Sequence, residues 1–388
     1  MIPEQVERRA RWVLDSIGAT NVGFGDDVPY SAEAWEQVDG GQLPANDDVA
    51  AAFFHLARVE ERDARRDEHG RFRAEWSVLD PLDPPLERLR RKLGVSDDGF
   101  AVALTHDVDT PWRWTRIGVR GSAARLKRNV LQGRAAPAVR EATALAAAPV
   151  HRARGTDPNW RFREILARER TSSTFFVLAG HNDPHDGAAP ERYDELRPRL
   201  VETIREAGGE IGLHGSYTAA CDPARLANEK AKLEALAGPV PGHRYHYLRG
   251  DPHRNVADLP FRYDTSLGFP DAVGFRAGIA RPFHPWDFER DAPAPVLEIP
   301  LAAMDATLAE ERYLGLSARR AEPRLRALLD WAAANGGAFS ILWHPDRFDP
   351  LTSGGWDRLY SRVLEGVRER GGICMSAGEL SSHSTWSK

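Results

Sequence analysis

From residue 100 onward, the 388-residue sequence alternates short apolar runs with longer segments of helical periodicity. Strands that alternate with helices are typical of a mostly parallel β-sheet joined by helical crossovers, and seven or eight strands favour closure into a barrel. The predicted strands are 100–107, 173–180, 210–214, 241–248, 261–267, 296–301, 338–344 and 372–377. The predicted helices between them are 157–170, 190–207, 222–237, 317–335 and 356–370.

Polar side chains follow several of these strands at the point where each strand ends. The first predicted strand runs into the sequence LTHDVD, which contains His106, Asp107 and Asp109. In a barrel of parallel strands, functional side chains collect at the carboxyl ends of the strands. We therefore expect the polar groups of the different strands to converge at one mouth of the barrel. The groups that end later strands are His214 with Ser216, then His243, Arg244, His246 and Tyr247, and finally His344.

The paired carboxylates of LTHDVD indicate a metal site. Two carboxylates one residue apart repel each other unless a cation lies between them, and Asp and His are good ligands for a divalent metal. One carboxylate can bind the metal while the other acts as a general base. The metal can polarise a carbonyl and acidify its bound water, and a second His can protonate a leaving amine. This set of groups suits the hydrolysis of an amide or ester.

The order of the motifs THDVD, STFFV, EIGLHGSY, HRYHY, YDTSLGF, EIPL and LWHP resembles the polysaccharide deacetylase superfamily, also called NodB-like or carbohydrate esterase family 4. The resemblance covers roughly residues 99 to 380, and it is strongest to an uncharacterised bacterial subgroup with a helical N-terminal accessory domain. It implies an α/β fold with an irregular (β/α)7 barrel. It also implies removal of an acetyl group from an N-acetylated sugar, or hydrolysis of a related amide, with a divalent metal such as Zn²⁺.

The resemblance assigns a role to each of four residues around the expected reaction. Asp107 of THDVD matches the catalytic base, and Arg244 of RYHY matches the arginine that orients that carboxylate. Tyr247 matches the aromatic residue whose backbone N–H helps form the oxyanion hole. His344 of LWHP matches the general acid. Together these residues are the predicted catalytic set.

The predicted metal ligands depart from the family pattern at one position. Asp109 and His214 match the first two ligands, but Thr218 stands where the His-x-x-x-His motif has its second histidine. His246 is the leading candidate for the third ligand because its strand end faces the same mouth. Weaker candidates are His243 and Ser216.

The missing histidine motivates a second function hypothesis. A catalytically degenerate barrel could bind a glycan or act as a scaffold without hydrolysing anything. The position of His246 discriminates between the hypotheses: a location beside Asp109 and His214 favours the enzyme, and burial in the core favours the scaffold.

The chain is predicted to have two units, an N-terminal accessory domain at 1–95 and the barrel at 96–388. No cluster of catalytic residue types occurs before residue 100. We expect the N-terminal unit to pack beside the barrel and to leave the mouth open. Its helical apolar stripe consists of Val49, Phe53, Leu56 and Val59.

A basic, alanine-rich insertion at about 111–155 interrupts the barrel pattern. It contains ten Lys or Arg residues between Pro111 and Arg154 but only one acid, Glu141. A solvated helical insertion is the simpler interpretation, and a surface for anionic lipid, nucleotide or nucleic acid is the alternative. Sparse aromatic residues disfavour nucleic acid. Asp157 is expected to cap the helix that follows.

The remaining features bear on compartment and partners. No apolar run approaches the roughly 18 residues of a membrane span, and the N-terminus has no apolar signal-peptide core. Only two cysteines are present, so no disulfide framework is implied. We therefore expect a cytoplasmic protein that acts on an N-acetylated sugar or glycan precursor, such as a nucleotide sugar. The sequence leaves the oligomeric state open.

Overall fold

The computed structural model describes residues 2–96, 99–181, 183–187, 189–250 and 259–385. Within these residues, four α-helices precede the first strand: α1 (Glu4–Ser16), α2 (Ala32–Asp39), α3 (Asp48–Leu56) and α4 (Pro85–Lys92). The described residues contain no helix that is both long enough and apolar enough to cross a membrane.

A parallel sheet follows. Its first strands are β1 (Phe100–Val108), β2 (Thr174–Leu178), β3 (Glu210–Gly215), β4 (Gly242–Tyr245) and β5 (Tyr263–Asp264). A small antiparallel pair comes next, formed by β6 (Trp286–Asp287) and β7 (Ala292–Pro293). The sheet is completed by β8 (Leu297–Glu298), β9 (Leu301–Met304), β10 (Gly337–Leu342) and β11 (Ile373–Met375).

The parallel strands form one curled sheet, with β8 at one edge and β9 at the other. Their order is β8, β5, β4, β3, β2, β1, β10 and β9, and β11 pairs with the first half of β1. Only Ile299 and Pro300 separate β8, which pairs with β5, from β9, which pairs with β10. One stretch of chain therefore supplies the strand at each edge of the curled sheet. This confirms the predicted irregular (β/α)7 barrel.

The helices after β1 are α5 (Arg116–Leu131), α6 (Ala135–Arg154), α7 (Phe162–Glu169), α8 (Pro190–Glu206), α9 (Pro223–Ala237), α10 (Asp305–Ala309), α11 (Ala318–Asn335), α12 (Trp356–Glu369) and α13 (Ala377–Leu380). The four predicted helices that correspond to α8, α9, α11 and α12 are each within one residue of the observed bounds. Helices α5 and α6 pack against each other and form the helical part of the basic insertion.

The predicted start of the first barrel helix is wrong. Helix α7 begins at Phe162, five residues after Asp157, and Arg161 occupies its N-cap position. The Asp157 carboxylate instead accepts hydrogen bonds from the backbone N–H groups of Arg113 and Trp114, at 2.9 Å each. The same aspartate therefore anchors the base of the insertion and not the helix.

Two predicted strands are shorter than their apolar runs. Strand β4 ends at Tyr245 because the chain turns into a 3₁₀ segment, His246–Leu248. Strand β5 is limited to Tyr263–Asp264, and the Asp264 side chain accepts a hydrogen bond from the Ser266 backbone N–H at 3.1 Å. Side-chain hydrogen bonds of this kind compete with a strand ladder and end it early.

The N-terminal helices share one apolar core with a later segment of the chain. The predicted stripe is almost fully buried, with no member more than 4% exposed. It packs in one cluster with Leu267, Ile279 and Trp286. A buried ion pair between Glu61 and Arg276, at 2.6 Å, adds a polar link to the same segment. Burial of this apolar surface is the main stabilisation of the contact.

Candidate metal and catalytic site

The side chains of β1 alternate between the inside and the outside of the barrel, as the two-residue period of a strand requires. Thr105 and Asp107 both contact the buried Arg244. His106 points the other way and stacks on Phe175, between the barrel and its outer helices. His106 therefore does not join the polar groups at the mouth, although it belongs to the same LTHDVD motif.

Asp107 and Arg244 form a buried pair at the mouth. The Arg244 Nη1 donates to Asp107 Oδ1 at 2.9 Å and to Thr105 Oγ1 at 2.8 Å. Its Nε donates to the Thr265 carbonyl at 3.1 Å, and its guanidinium lies over the Phe176 ring. Arg244 is completely buried, and these contacts fix its position. A fixed guanidinium holds the Asp107 carboxylate in one orientation.

Asp109, His214 and His246 form a compact cluster beside that pair. The Asp109 Oδ1 lies 3.3 Å from His214 Nε2 and 3.5 Å from His246 Nε2. One ligand atom from each residue lies within 4.8 Å of the others. The structure thus brings the three predicted metal ligands together, and His246 lies where the enzyme hypothesis requires it.

Hydrogen bonds on the far side of each imidazole aim both Nε2 atoms at Asp109. His214 Nδ1 lies 3.0 Å from the Arg244 carbonyl, which can only accept, so Nδ1 carries the proton and Nε2 keeps its lone pair. His246 Nδ1 lies 3.1 Å from Asp186 Oδ1. Such partners on the second nitrogen are typical of histidines that bind metals.

Two buried atoms of the cluster lack a hydrogen-bond partner. They are Asp109 Oδ1 and His214 Nε2. Buried polar atoms without partners cost free energy, and a cation among them would offset that cost. Burial alone would raise the pKa of Asp109, but the imidazoles of His246 and His214 outweigh it and hold that pKa well below its usual range. The residues present therefore fit a divalent metal.

The weaker ligand candidates are occupied elsewhere. The Ser216 hydroxyl donates to Glu229 Oε1 at 2.5 Å. His243 pairs with Asp264 at 2.6 Å and stacks on Phe261, so it lies on the opposite face of β4 from Arg244. Neither belongs to the cluster of potential ligands.

His344 faces the cluster from β10. Its Nε2 lies 3.6 Å from Asp109 Oδ2, and its Nδ1 lies 2.6 Å from Asp305 Oδ1. Burial would lower the pKa of His344, but the Asp305 carboxylate outweighs it and raises the pKa to about 10. Arg347 also donates to Asp305, at 3.2 Å. The imidazole is thus oriented and held in its protonated form.

Tyr247 has an unusual backbone. Its φ of 61° lies in the left-handed region, which non-glycine residues rarely occupy. Such strain is concentrated at functional sites. The Tyr247 carbonyl accepts from Arg71 at 3.2 Å, and its ring contacts His69. The N-terminal region therefore reaches the rim of the mouth through these two residues.

Sequence reasoning missed the two carboxylates that orient the histidines. Asp305 directly follows β9 and could have been found by the strand-end rule, had the sixth predicted strand been extended past residue 301. Asp186 lies in a 3₁₀ segment, Pro184–Asp186, between β2 and α8. It lies six positions beyond the end of the predicted strand 173–180, so the strand-end rule did not indicate its role.

A cavity of about 460 Å³ adjoins the cluster. Asp109 and Asp186 line it on the side of the Asp109, His214 and His246 cluster, and Trp112 and Arg113 line it from the base of the insertion. Tyr193 lies on a further wall. This volume is within the usual range for small-molecule sites.

Comparisons with known proteins give only distant likenesses. The sequence matches no family model and no curated protein. Among solved structures, the chain is similar to a protein from Mycobacterium smegmatis assigned as a polysaccharide deacetylase, with 18% identity, a TM-score of 0.46 and coverage of 75% of this chain and 92% of that one. The allantoinase PuuE gives 14% identity and a TM-score of 0.46, with 82% of this chain and 96% of that one covered.

A chitin deacetylase from the fungal pathogen Colletotrichum lindemuthianum gives 14% identity and a TM-score of 0.37, with 75% of this chain and 93% of that one covered. Identities and TM-scores this low carry no argument about the activity of this chain.

Proposed function

We propose that this protein is a metal-dependent hydrolase that removes the acetyl group from an N-acetylated sugar or a related amide. One observation carries the proposal: a cluster of Asp109, His214 and His246, with unpartnered atoms, lies between an arginine-held carboxylate and a carboxylate-held histidine. The motif resemblance to polysaccharide deacetylases supports the same chemistry.

The proposed metal is Zn²⁺, held by Asp109, His214 and His246. One carboxylate and two imidazoles are a donor set that zinc uses in catalytic sites, where it keeps a further position open. When bound, a divalent ion supplies a Lewis acid that polarises the amide carbonyl and lowers the pKa of water.

Asp107 is the proposed general base. Arg244 binds its Oδ1, so Oδ2 is the oxygen available to accept a proton from the attacking water. That oxygen lies 3.6 Å from His214 Nε2, beside the ligand cluster. Asp109 cannot share this role because its carboxylate faces the two ligand imidazoles.

His344 is the proposed general acid. Its protonated imidazole, oriented by Asp305, can donate from Nε2 to the nitrogen of the departing amine. The pKa of about 10 keeps the proton on the imidazole at neutral pH until the amine nitrogen becomes more basic during bond cleavage. The backbone N–H of Tyr247 is proposed to stabilise the oxyanion that forms on the acetyl carbonyl.

The position of His246 also bears on the alternative of a catalytically degenerate, glycan-binding or scaffold barrel. The motive for that alternative is Thr218, which occupies the position of a usual ligand. His246 supplies a third ligand from β4's end, with Asp186 orienting it. A scaffold has no need for this arrangement, so the geometry favours the enzyme.

An acetate-release assay tests the proposal. Purified protein loaded with Zn²⁺ is incubated with a panel of N-acetylated monosaccharides, nucleotide sugars and oligosaccharides. We expect acetate release from at least one substrate, loss of release after chelation, and loss of release in Asp107→Asn. The matched control Asp330→Asn changes an exposed carboxylate on α11 and should retain full activity. Release that survives both chelation and Asp107→Asn would refute the proposal.

A further inference from the structure

The hairpin formed by α5 and α6 exposes a concentration of apolar side chains. Eleven large apolar side chains are exposed among the described residues, and six of them lie in this hairpin. Single exposed apolar residues are ordinary, but a group of them marks an interaction surface. The six are Ile117, Val119, Val130, Leu131, Val139 and Val150.

The most exposed of these side chains surround the turn between the two helices. Leu131 is 76% exposed, Val139 64% and Val130 61%. We call residues 127–139 the hairpin tip. These aliphatic side chains project into solvent. Their removal from water by a bound partner would make the free energy of binding more favourable.

The same hairpin is strongly cationic. Its one acid, Glu141, is held between Arg113 and Arg125, at 2.9 Å from each guanidinium. No other acid lies between residues 111 and 154 to neutralise the basic side chains. The exposed cations are Arg116, Arg120, Arg125, Lys127, Arg128, Arg134, Arg152 and Arg154.

The hairpin is attached beside the mouth of the barrel. Trp112 and Arg113 at its base line the 460 Å³ cavity together with Asp109. Arg134 at the tip forms an ion pair with Glu311, in the segment after α10. A partner bound to the exposed face of the hairpin would therefore lie next to the candidate site.

We propose that this hairpin docks peripherally on an anionic lipid bilayer. An anionic leaflet attracts Lys and Arg to its headgroups, and the boundary between headgroups and acyl chains accommodates exposed aliphatic side chains. The hairpin presents both kinds of side chain. A nucleic acid offers bases that stack on aromatic rings, and the tip contains none. A second copy of the chain would bring two cationic hairpins together, which charge repulsion opposes.

Vesicle co-sedimentation tests the docking with a matched pair of double variants. Lys127→Glu with Leu131→Ser removes one cation and one aliphatic group, four residues apart, from the tip. Lys232→Glu with Leu236→Ser makes the same two changes, at the same spacing, on the exposed face of α9. The full-length protein and both variants are mixed with phosphatidylcholine vesicles, with and without phosphatidylglycerol. Circular dichroism confirms that each variant is folded.

We expect the native protein to bind the phosphatidylglycerol vesicles, and the tip variant to bind at least about 10-fold more weakly. The α9 variant should bind like the native protein, and added salt should weaken binding. Absence of native binding, equal binding to pure phosphatidylcholine, or equal losses in the two variants would overturn the proposal. Binding to single-stranded RNA in place of vesicles would overturn it in favour of nucleic acid.

Discussion

His106 and His214 lie near the carboxyl ends of β1 and β3, two strands separated by β2, and both are almost completely buried. Both nitrogens of His106 have partners: Nδ1 lies 2.6 Å from the Trp343 carbonyl, and Nε2 lies 2.8 Å from Glu169 Oε1. His214 also uses Nδ1, on the Arg244 carbonyl, but its Nε2 forms no hydrogen bond and faces Asp107 and Asp109. The first histidine is satisfied by the protein, and the second is left available to a ligand.

This difference separates structural from functional polar groups at the strand ends. A buried imidazole with two partners contributes to stability, because removing it takes away one of the two hydrogen bonds to Glu169 Oε1 and leaves only that from Tyr360. A buried imidazole that has one ring nitrogen without a partner lowers the free energy of unfolding unless a ligand binds that nitrogen. We therefore expect changes at the outer pair, His106 and Glu169, to affect folding, and changes at the mouth to affect metal binding and turnover.

The largest expected effect is at Asp107. Asp107→Asn keeps the shape of the side chain but removes its ability to accept a proton, so we expect kcat to fall by about 10⁴-fold, at the upper end of a general-base contribution. Zinc content, measured by elemental analysis, should stay near that of the native protein because Asp107 is not among the three ligands. A variant that retains near-normal turnover would show that the base is misassigned.

His344→Ala should reduce kcat by about 10²–10⁴-fold, the usual contribution of a general acid. The loss should depend on the leaving group. An aryl acetate expels a phenolate that needs no proton, so its hydrolysis should fall far less than that of an N-acetyl sugar. Equal losses for both substrates would mean that His344 does not protonate the leaving group.

His214→Ala and His106→Ala form a direct test of the comparison. His214→Ala should weaken zinc binding by more than about 100-fold, because loss of a ligand should exceed the effect of changing its partner. His106→Ala should leave zinc binding unchanged but lower the free energy of unfolding by about 3 kcal/mol, as expected for breaking a buried pair. Calorimetric zinc titration and urea unfolding measure the two effects, and an exchange of the two phenotypes would contradict the comparison.

His246→Ala should weaken zinc binding by at least about 10-fold, and Asp186→Asn should have a smaller effect because it changes only the partner of that ligand. Thr218→His in the His246→Ala background restores the usual family motif and should recover part of the affinity. Unchanged affinity in His246→Ala would remove this residue from the ligand set.

The sequence predicted the barrel because its alternating strands and helices carry a strong signal, whereas the roles of the seven candidate site residues rest on the motif resemblance and stay predictions. Apolar runs predicted the bounds of β1 and β3 to within one residue and those of β10 to within two, and each strand carries a candidate site residue near or just beyond its end. The face on which a side chain lies was harder to predict. His106 and Asp107 are adjacent, and only the pairing of β1 with its neighbours decides which of them points inward.

The carboxylates that orient other residues from irregular segments were harder to predict than the residues at strand ends. Asp186 reaches His246 across 60 residues of sequence, and nothing in its local pattern indicates that contact. Asp157 looked like a helix cap, yet its carboxylate binds the base of the insertion 43 and 44 residues earlier. Contacts between irregular segments depend on how the whole chain folds, so local periodicity does not reveal them.

The most direct test of the central claim is a crystal structure of the native protein with Zn²⁺, with anomalous diffraction measured at the zinc edge. The account predicts one strong anomalous peak at the mouth, with Asp109, His214 Nε2 and His246 Nε2 about 2.0–2.2 Å from it. His106 should keep its contacts with Trp343 and Glu169. A peak at another set of residues, or no peak within reach of His246, would contradict the account.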